Sequence, residues 1–214
     1  MNLFRRSAKE TTASSLAATV PPETTNGVSN SATVTPPAPV LVNVARYNYH
    51  SLAKPAPGNR LAAEKFFMQG LQEQRAGRFA EAIQAYHQAT TADPAYFEAY
   101  YNLGLAAAAA GDRPQALSAG EYALAIRPDS AEARLNFAQL LKQVNYLFDA
   151  ANELSIVINN NPNDARAHLA LGNLYAQQFH QPAQAREHYL KVLELDPRNL
   201  QANALRDWLV ANPR

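Results

Sequence analysis

Cysteine is absent from the chain, which excludes disulfide frameworks, thiolate metal sites and thiol nucleophiles and leaves the redox compartment open. Net charge is nearly absent as well. The 19 basic and 18 acidic residues leave +1, too little for a duplex-binding surface driven by bulk charge, so no nucleic-acid partner is expected. No uninterrupted apolar run approaches the roughly 20 residues needed to span a bilayer. Patterns that carry chemistry are missing too. The eight glycines compose neither a phosphate loop nor a GxGxxG turn, and His50, His87, His168, His180 and His188 lack the spacing of metal ligands. Serines are sparse beyond residue 60 and fit no Ser/His/Asp arrangement. The expectation is a chain that is not an enzyme and takes no metal or cofactor.

What is present divides the chain in two. Residues 1–60 are dominated by Thr, Ser, Ala, Asn and Pro, with prolines at positions 21, 22, 36, 37, 39, 55 and 57. Such a segment buries too little apolar surface to offset its ordering entropy, and a disordered tail of polyproline character is expected. Its basic start is followed by Lys9, Glu10 and a Thr/Ser run, not by an apolar block. A cytoplasmic location is expected, with the cell envelope as the alternative if the true start lies upstream. One island differs: Val40, Val42, Val44, Tyr47 and Tyr49 make an alternating β-branched and aromatic run. It reads either as an extended linker or as a short segment that docks on this chain's folded part or on a partner.

Residues 61–214 carry a repeat. Asp93-Pro94, Arg127-Pro128, Asn161-Pro162 and Asp196-Pro197 place prolines 34, 34 and 35 residues apart. Proline pushes the residue before it out of helical geometry, so each X-Pro closes one helical hairpin and opens the next. Four units follow, at about 63–96, 97–130, 131–164 and 165–199, with a further helix at about 200–210 capping the end. Gly70, Gly104, Ala138 and Gly172 occupy one slot of the first helices, and Ala82, Ala116, Ala150 and Ala185 one slot of the second. Small side chains there let paired helices approach closely. Tyr86, Leu154 and Tyr189 fill the slot four past the alanines, whereas the second unit has Gly120, which predicts a small void or a loosened helix. Gly77, Gly111 and Asn145 suit left-handed turns between the helices, and Asp129 with Glu132 suggests a capping box. The fourth unit's extra residue fits best in the turn before Pro182.

This combination of period, small slots, aromatic slots and X-Pro steps over about residues 61–199 resembles the tetratricopeptide repeat family. The resemblance implies an all-α solenoid whose first helices line a concave groove that holds a peptide or protein partner. On that basis the lining includes Phe67, Leu71, Glu98, Tyr101, Asn102, Leu105, Glu132, Leu135, Asn136 and Leu169. Phe67, Leu71, Tyr101, Leu105, Leu135 and Leu169 would form an apolar stripe, and the stacked Asn102 and Asn136 could bond a ligand's backbone. Relatives that grip a C-terminal carboxylate use Lys and Arg in groove slots that here hold aromatic, leucine and glutamate residues. An apolar segment with a basic flank, meeting Glu64, Glu98 and Glu132, is the expected ligand. Two other readings stand beside this interaction module. One is a cell-envelope assembly or anchoring factor with the tail as spacer. The other is a self-associating scaffold in which Tyr47 and Tyr49 fill a neighbour's groove.

Overall fold

The computed structural model describes residues 45–50 and 52–213, so the expectations for the tail before residue 45 lie outside the described residues. All regular structure among those residues is helical: α1 Arg60–Arg75, α2 Phe79–Ala92, α3 Phe97–Ala110, α4 Arg113–Ile126, α5 Ala131–Gln143, α6 Leu147–Asn160, α7 Ala165–Gln177, α8 Pro182–Leu195 and α9 Ala202–Ala211. They form an α-solenoid of four hairpins closed by α9, each helix packed on its neighbours in sequence.

The ends of these helices follow from local chemistry. Asp93, Arg127, Asn161 and Asp196, each before a proline, leave helical geometry with φ of −137°, −128°, −140° and −137°. The turns inside the hairpins reverse through left-handed residues: Gly77 at φ 73°, Gly111 at 83°, Asn145 at 65° and, in the longer fourth turn, His180 at 53°. Pro114 and Pro182 sit in the first turns of α4 and α8, where no N–H is missed. The third unit departs from expectation: its cap is Ser130, one residue past Asp129, whose hydroxyl accepts the Ala133 N–H at 3.2 Å.

Ala82, Ala116, Ala150 and Ala185 are fully buried where the paired helices cross. In the outer units a ring from the second helix lies across the glycine of the first. A β-carbon on Gly70 would stand 2.5 Å from the Tyr86 ring, and one on Gly172 would stand 2.7 Å from Tyr189. The hydroxyls reach across: Tyr86 donates to Gln74 Oε1 at 2.6 Å and Tyr189 to Asn173 Oδ1 at 2.8 Å. The second unit has no such ring. A β-carbon on Gly104 would meet no ring, its nearest neighbours being the Ala116 carbonyl at 3.5 Å, the Ala119 methyl at 3.6 Å and the Gly120 nitrogen at 3.8 Å. Helix α4 runs unbroken past Gly120, so the expected loosening is absent. Phe137, from the following unit, enters the space instead; a β-carbon on Gly120 would lie 2.7 Å from its ring.

From Ala45 the chain is extended and packs on the second helices, so of the two readings of the island, residues 45–50 follow the docked one. Arg46 donates from Nε and Nη2 to Asp149 Oδ1 at 3.0 and 2.9 Å, while the Tyr47 N–H reaches Oδ2 at 2.7 Å. The Tyr49 hydroxyl donates to Glu153 at 2.9 Å, and the His50 N–H to Glu121 at 3.1 Å. Both tyrosine rings meet Phe137 edge-on, with centroids 5.8 and 6.1 Å away. The edge of the packed unit therefore lies before residue 60. Nearer α1, Gly58 passes so close to the Ala92 carbonyl that a β-carbon would not fit, and its N–H donates to buried Asp93. Burial alone would raise the pKa of Asp93, but the Gly58 and Ala95 N–H groups and the Arg60 guanidinium outweigh it and hold the carboxyl below its ordinary range.

At the other end, Leu205 and Leu209 of α9 bury against Tyr189 and Val192, and Trp208 meets the Tyr189 ring edge-on at 4.9 Å. Arg186 donates to the Leu209 and Asn212 carbonyls, satisfying the free end of α9.

The Gly120–Phe137 fit is testable. Gly120→Ala is expected to destabilise by about 1 kcal/mol although alanine is the better helix former, because overpacking costs about 1–3 kcal/mol. In a Phe137→Leu background the same change becomes neutral or stabilising, a coupling that urea denaturation of the double-mutant cycle measures.

Candidate functional site

The first helices α1, α3, α5 and α7 form one long face, and side chains of α3 and α5 are tied together at its middle. The Asn136 amide donates to the Tyr101 hydroxyl at 2.6 Å. The Tyr101 ring stacks on Phe97 at 5.9 Å, with the Arg127 guanidinium 4.2 Å from the other ring's centroid. Burial and the nearby Glu132 charge push the Tyr101 hydroxyl pKa up, so it stays a neutral phenol across physiological pH.

Behind that bond lies a hollow of about 180 Å³. Its floor is Gly104, Ala116, Gly120 and Ala123, its walls Leu105, Ala108, Phe137 and Leu140, and its rim Tyr101 and Asn136. The void expected from Gly120 is therefore real, and it has a position. In the first unit the Tyr86 ring crosses the equivalent slot and its hydroxyl meets Gln74; here the slot of Tyr86 is Gly120 and the slot of Gln74 is Ala108. Phe137 takes part of the missing ring's volume and leaves the remainder as the hollow. Between α5 and α7 a second depression of about 260 Å³ is lined by Leu135 and Leu169 together with Gln139, Lys142, Arg166 and Asn173.

The expected lining residues thus separate into groups. Tyr101, Leu105 and Asn136 surround the first hollow, and Leu135 and Leu169 the second. Phe67 packs between Tyr86 and Tyr96, at 5.8 and 5.1 Å, and Leu71 joins the same cluster, so both pack into the seam between the first two hairpins. Asn102 donates its amide to the Glu98 carbonyl of its own helix at 2.8 Å. Glu98 pairs with Arg127 at 2.5 Å with both side chains partly exposed, and Glu64 and Glu132 are exposed. The acids Glu121, Asp149 and Glu153 that hold residues 46–50 were not anticipated. Their signal was carboxylates in second-helix slots where the repeat buries its neighbours.

Two of the histidines meet. The Nδ1 atoms of His168 and His188 are 2.9 Å apart, and His168 Nε2 lies 3.0 Å from the Pro162 carbonyl. A carbonyl only accepts, so His168 donates from Nε2 and receives the Nδ1 proton of His188. His188 also stacks on Tyr175 at 5.6 Å. Among the described residues no three His, Asp or Glu side chains converge in a way that could hold a metal.

Models of the tetratricopeptide repeat match residues 67–131, 107–174 and 165–199, together spanning more than half of the chain. The chain belongs to the tetratricopeptide repeat family. No curated protein matches this sequence. Among solved structures, this tetratricopeptide repeat protein is similar to MamA, with 24% identity over 71% of this chain and 87% of that one and a TM-score of 0.62. It is also similar to YrrB, described as a TPR protein with an unusual peptide-binding site, at 22% identity over 68% and 75% of the two chains and a TM-score of 0.61. The pilF protein of Pseudomonas aeruginosa matches at 22% identity over 72% and 70%, with a TM-score of 0.62. At these identities the likeness is one of fold.

Burial, and then electrostatic repulsion from His168, lower the pKa of His188, with adjacent Glu187 opposing them. A histidine whose folded pKa is depressed contributes stability above its unfolded pKa of about 6.5 and loses it as pH falls towards the folded value. Thermal melts between pH 7.5 and 5 should therefore show a steeper fall in Tm for the parent protein than for His188→Gln.

Proposed function

We propose that this tetratricopeptide repeat protein is a non-catalytic module that holds an extended segment of a partner protein along α3, α5 and α7. An apolar side chain of the partner seats in the hollow over Gly104 and Gly120. The observation that carries this reading is the hollow itself, a space lined mainly by small and apolar groups, with Gln139 and Gln143 beside them, and a hydrogen-bonded Tyr101–Asn136 rim. Cavities of about 150 Å³ take a benzene ring, so this one suits a leucine or phenylalanine side chain, whose burial stabilises a complex by about 1.5–3 kcal/mol. The rim supplies amide and phenol groups that can meet the ligand's backbone whatever its sequence. Exposed Glu132, one turn from Asn136, favours a basic residue beside the apolar anchor. A peptide-binding site in YrrB, of the same fold, accords with this use of the surface.

The test is to select 12-residue peptides on the purified protein and measure the best binder by calorimetry. Ala108→Phe, which fills the hollow, should weaken binding at least tenfold while Tm stays within about 2 °C, and Tyr101→Ala with Asn136→Ala should act similarly. Undiminished binding by a folded Ala108→Phe protein would remove the hollow from the proposal.

A further inference from the structure

The opposite face of the stack holds a second built site, and there the occupant is in view. Glu121 of α4 and Asp149 and Glu153 of α6 are 8%, 1% and 4% exposed. Buried carboxylates are costly unless paired, and the repeats themselves bring only Arg134, whose guanidinium meets Glu153. The remaining bonds come from one extended stretch: Arg46 and the Tyr47 N–H on Asp149, the Tyr49 hydroxyl on Glu153, and the His50 N–H and ring on Glu121. Charge, aromatic surface and two backbone N–H groups are all read, as in the recognition of a peptide by a receptor.

We propose that the cleft between α4 and α6 is a recognition site for an extended basic–aromatic–any–aromatic–histidine segment. In this chain residues 46–50 occupy it as a tethered, exchangeable ligand. Several observations separate this stretch from the core. It is neither helix nor strand, and its hydrogen bonds to the stack go to residues 71 to 104 positions away in sequence. The hairpins bury their crossings against one another, and Tyr47 packs half-buried against the central cluster without being one of its buried members. The Arg46 side chain remains 65% exposed although its partner Asp149 is buried, the arrangement of a ligand laid on a surface. The Tyr47 and Tyr49 rings lie on Phe137, a floor that exists because Gly120 admits that ring. Residues 52–59 lead back to Asp93 at the first hairpin, so a short tether keeps the segment at a local concentration of order millimolar. A partner bearing the same chemistry therefore gains access only by displacing it.

The full-length protein tests this with a fluorescent synthetic peptide of residues 43–52. In the parent protein the tethered copy competes, and anisotropy should show at least tenfold weaker binding than in an Arg46→Ala, Tyr47→Ala variant. A peptide with alanine in place of Arg46 and Tyr49 should lose that binding. Circular dichroism should show the variant still helical and melting cooperatively. The proposal fails if the folded variant binds the peptide no better than the parent, if the alanine peptide binds equally well, or if weakening the segment unfolds the stack, because the stretch is then part of the core.

Discussion

Everything in this stack depends on how closely two helices of a hairpin can approach. Alanine at one crossing slot and glycine or alanine at the other leave at most a methyl group on each backbone there, so the two helices of a pair can meet across a dense seam. A tyrosine or leucine four residues on then seals the pair by lying over the small residue opposite. Because a single hairpin cannot bury both sides of such a pair, the next unit must cover it, and α9 covers the last.

The second unit keeps the close approach but omits the sealing ring, and both candidate surfaces trace back to that omission. On the first-helix face it leaves a hollow behind Tyr101 and Asn136. On the second-helix face it lets Phe137 move in and become a floor for Tyr47 and Tyr49. One glycine thus shapes two faces of the molecule through a single displaced aromatic ring. The buried acids of the second helices complete the picture, since their oxygens are met by an arginine, a phenol and a histidine supplied from far away in the chain, beside Arg134 on Glu153.

The hairpins, their turns and the small slots were legible in the sequence because each depends on local backbone geometry. Proline forces its predecessor out of the helix, and Gly77, Gly111 and Asn145 tolerate positive φ wherever they stand. His180 was not legible as the fourth reversal, since histidine is an ordinary residue that adopts that geometry only under the length constraint of its turn. The void was legible at Gly120, but not its shape, which depends on Phe137 from another unit. The groove was only partly legible. Tyr101, Leu105 and Asn136 converge, whereas Glu98 pairs with Arg127 and Phe67 packs on Tyr86 and Tyr96, both pairings set by tertiary neighbours. The receptor for residues 46–50 involves partners too distant in sequence for any periodicity to reveal.

The exchange of volume between Gly120 and Phe137 also makes the modules non-interchangeable. A repeat array with identical seams could lose or gain a unit and close again without strain. Excising residues 97–130 here would set Tyr86 and Phe137 against each other, two aromatic rings competing for a space that holds one. The stack carries its own serial order, written as a lock-and-key match in side-chain size between consecutive modules, and recombination that ignored this order would yield a chain that stacks badly at a single joint.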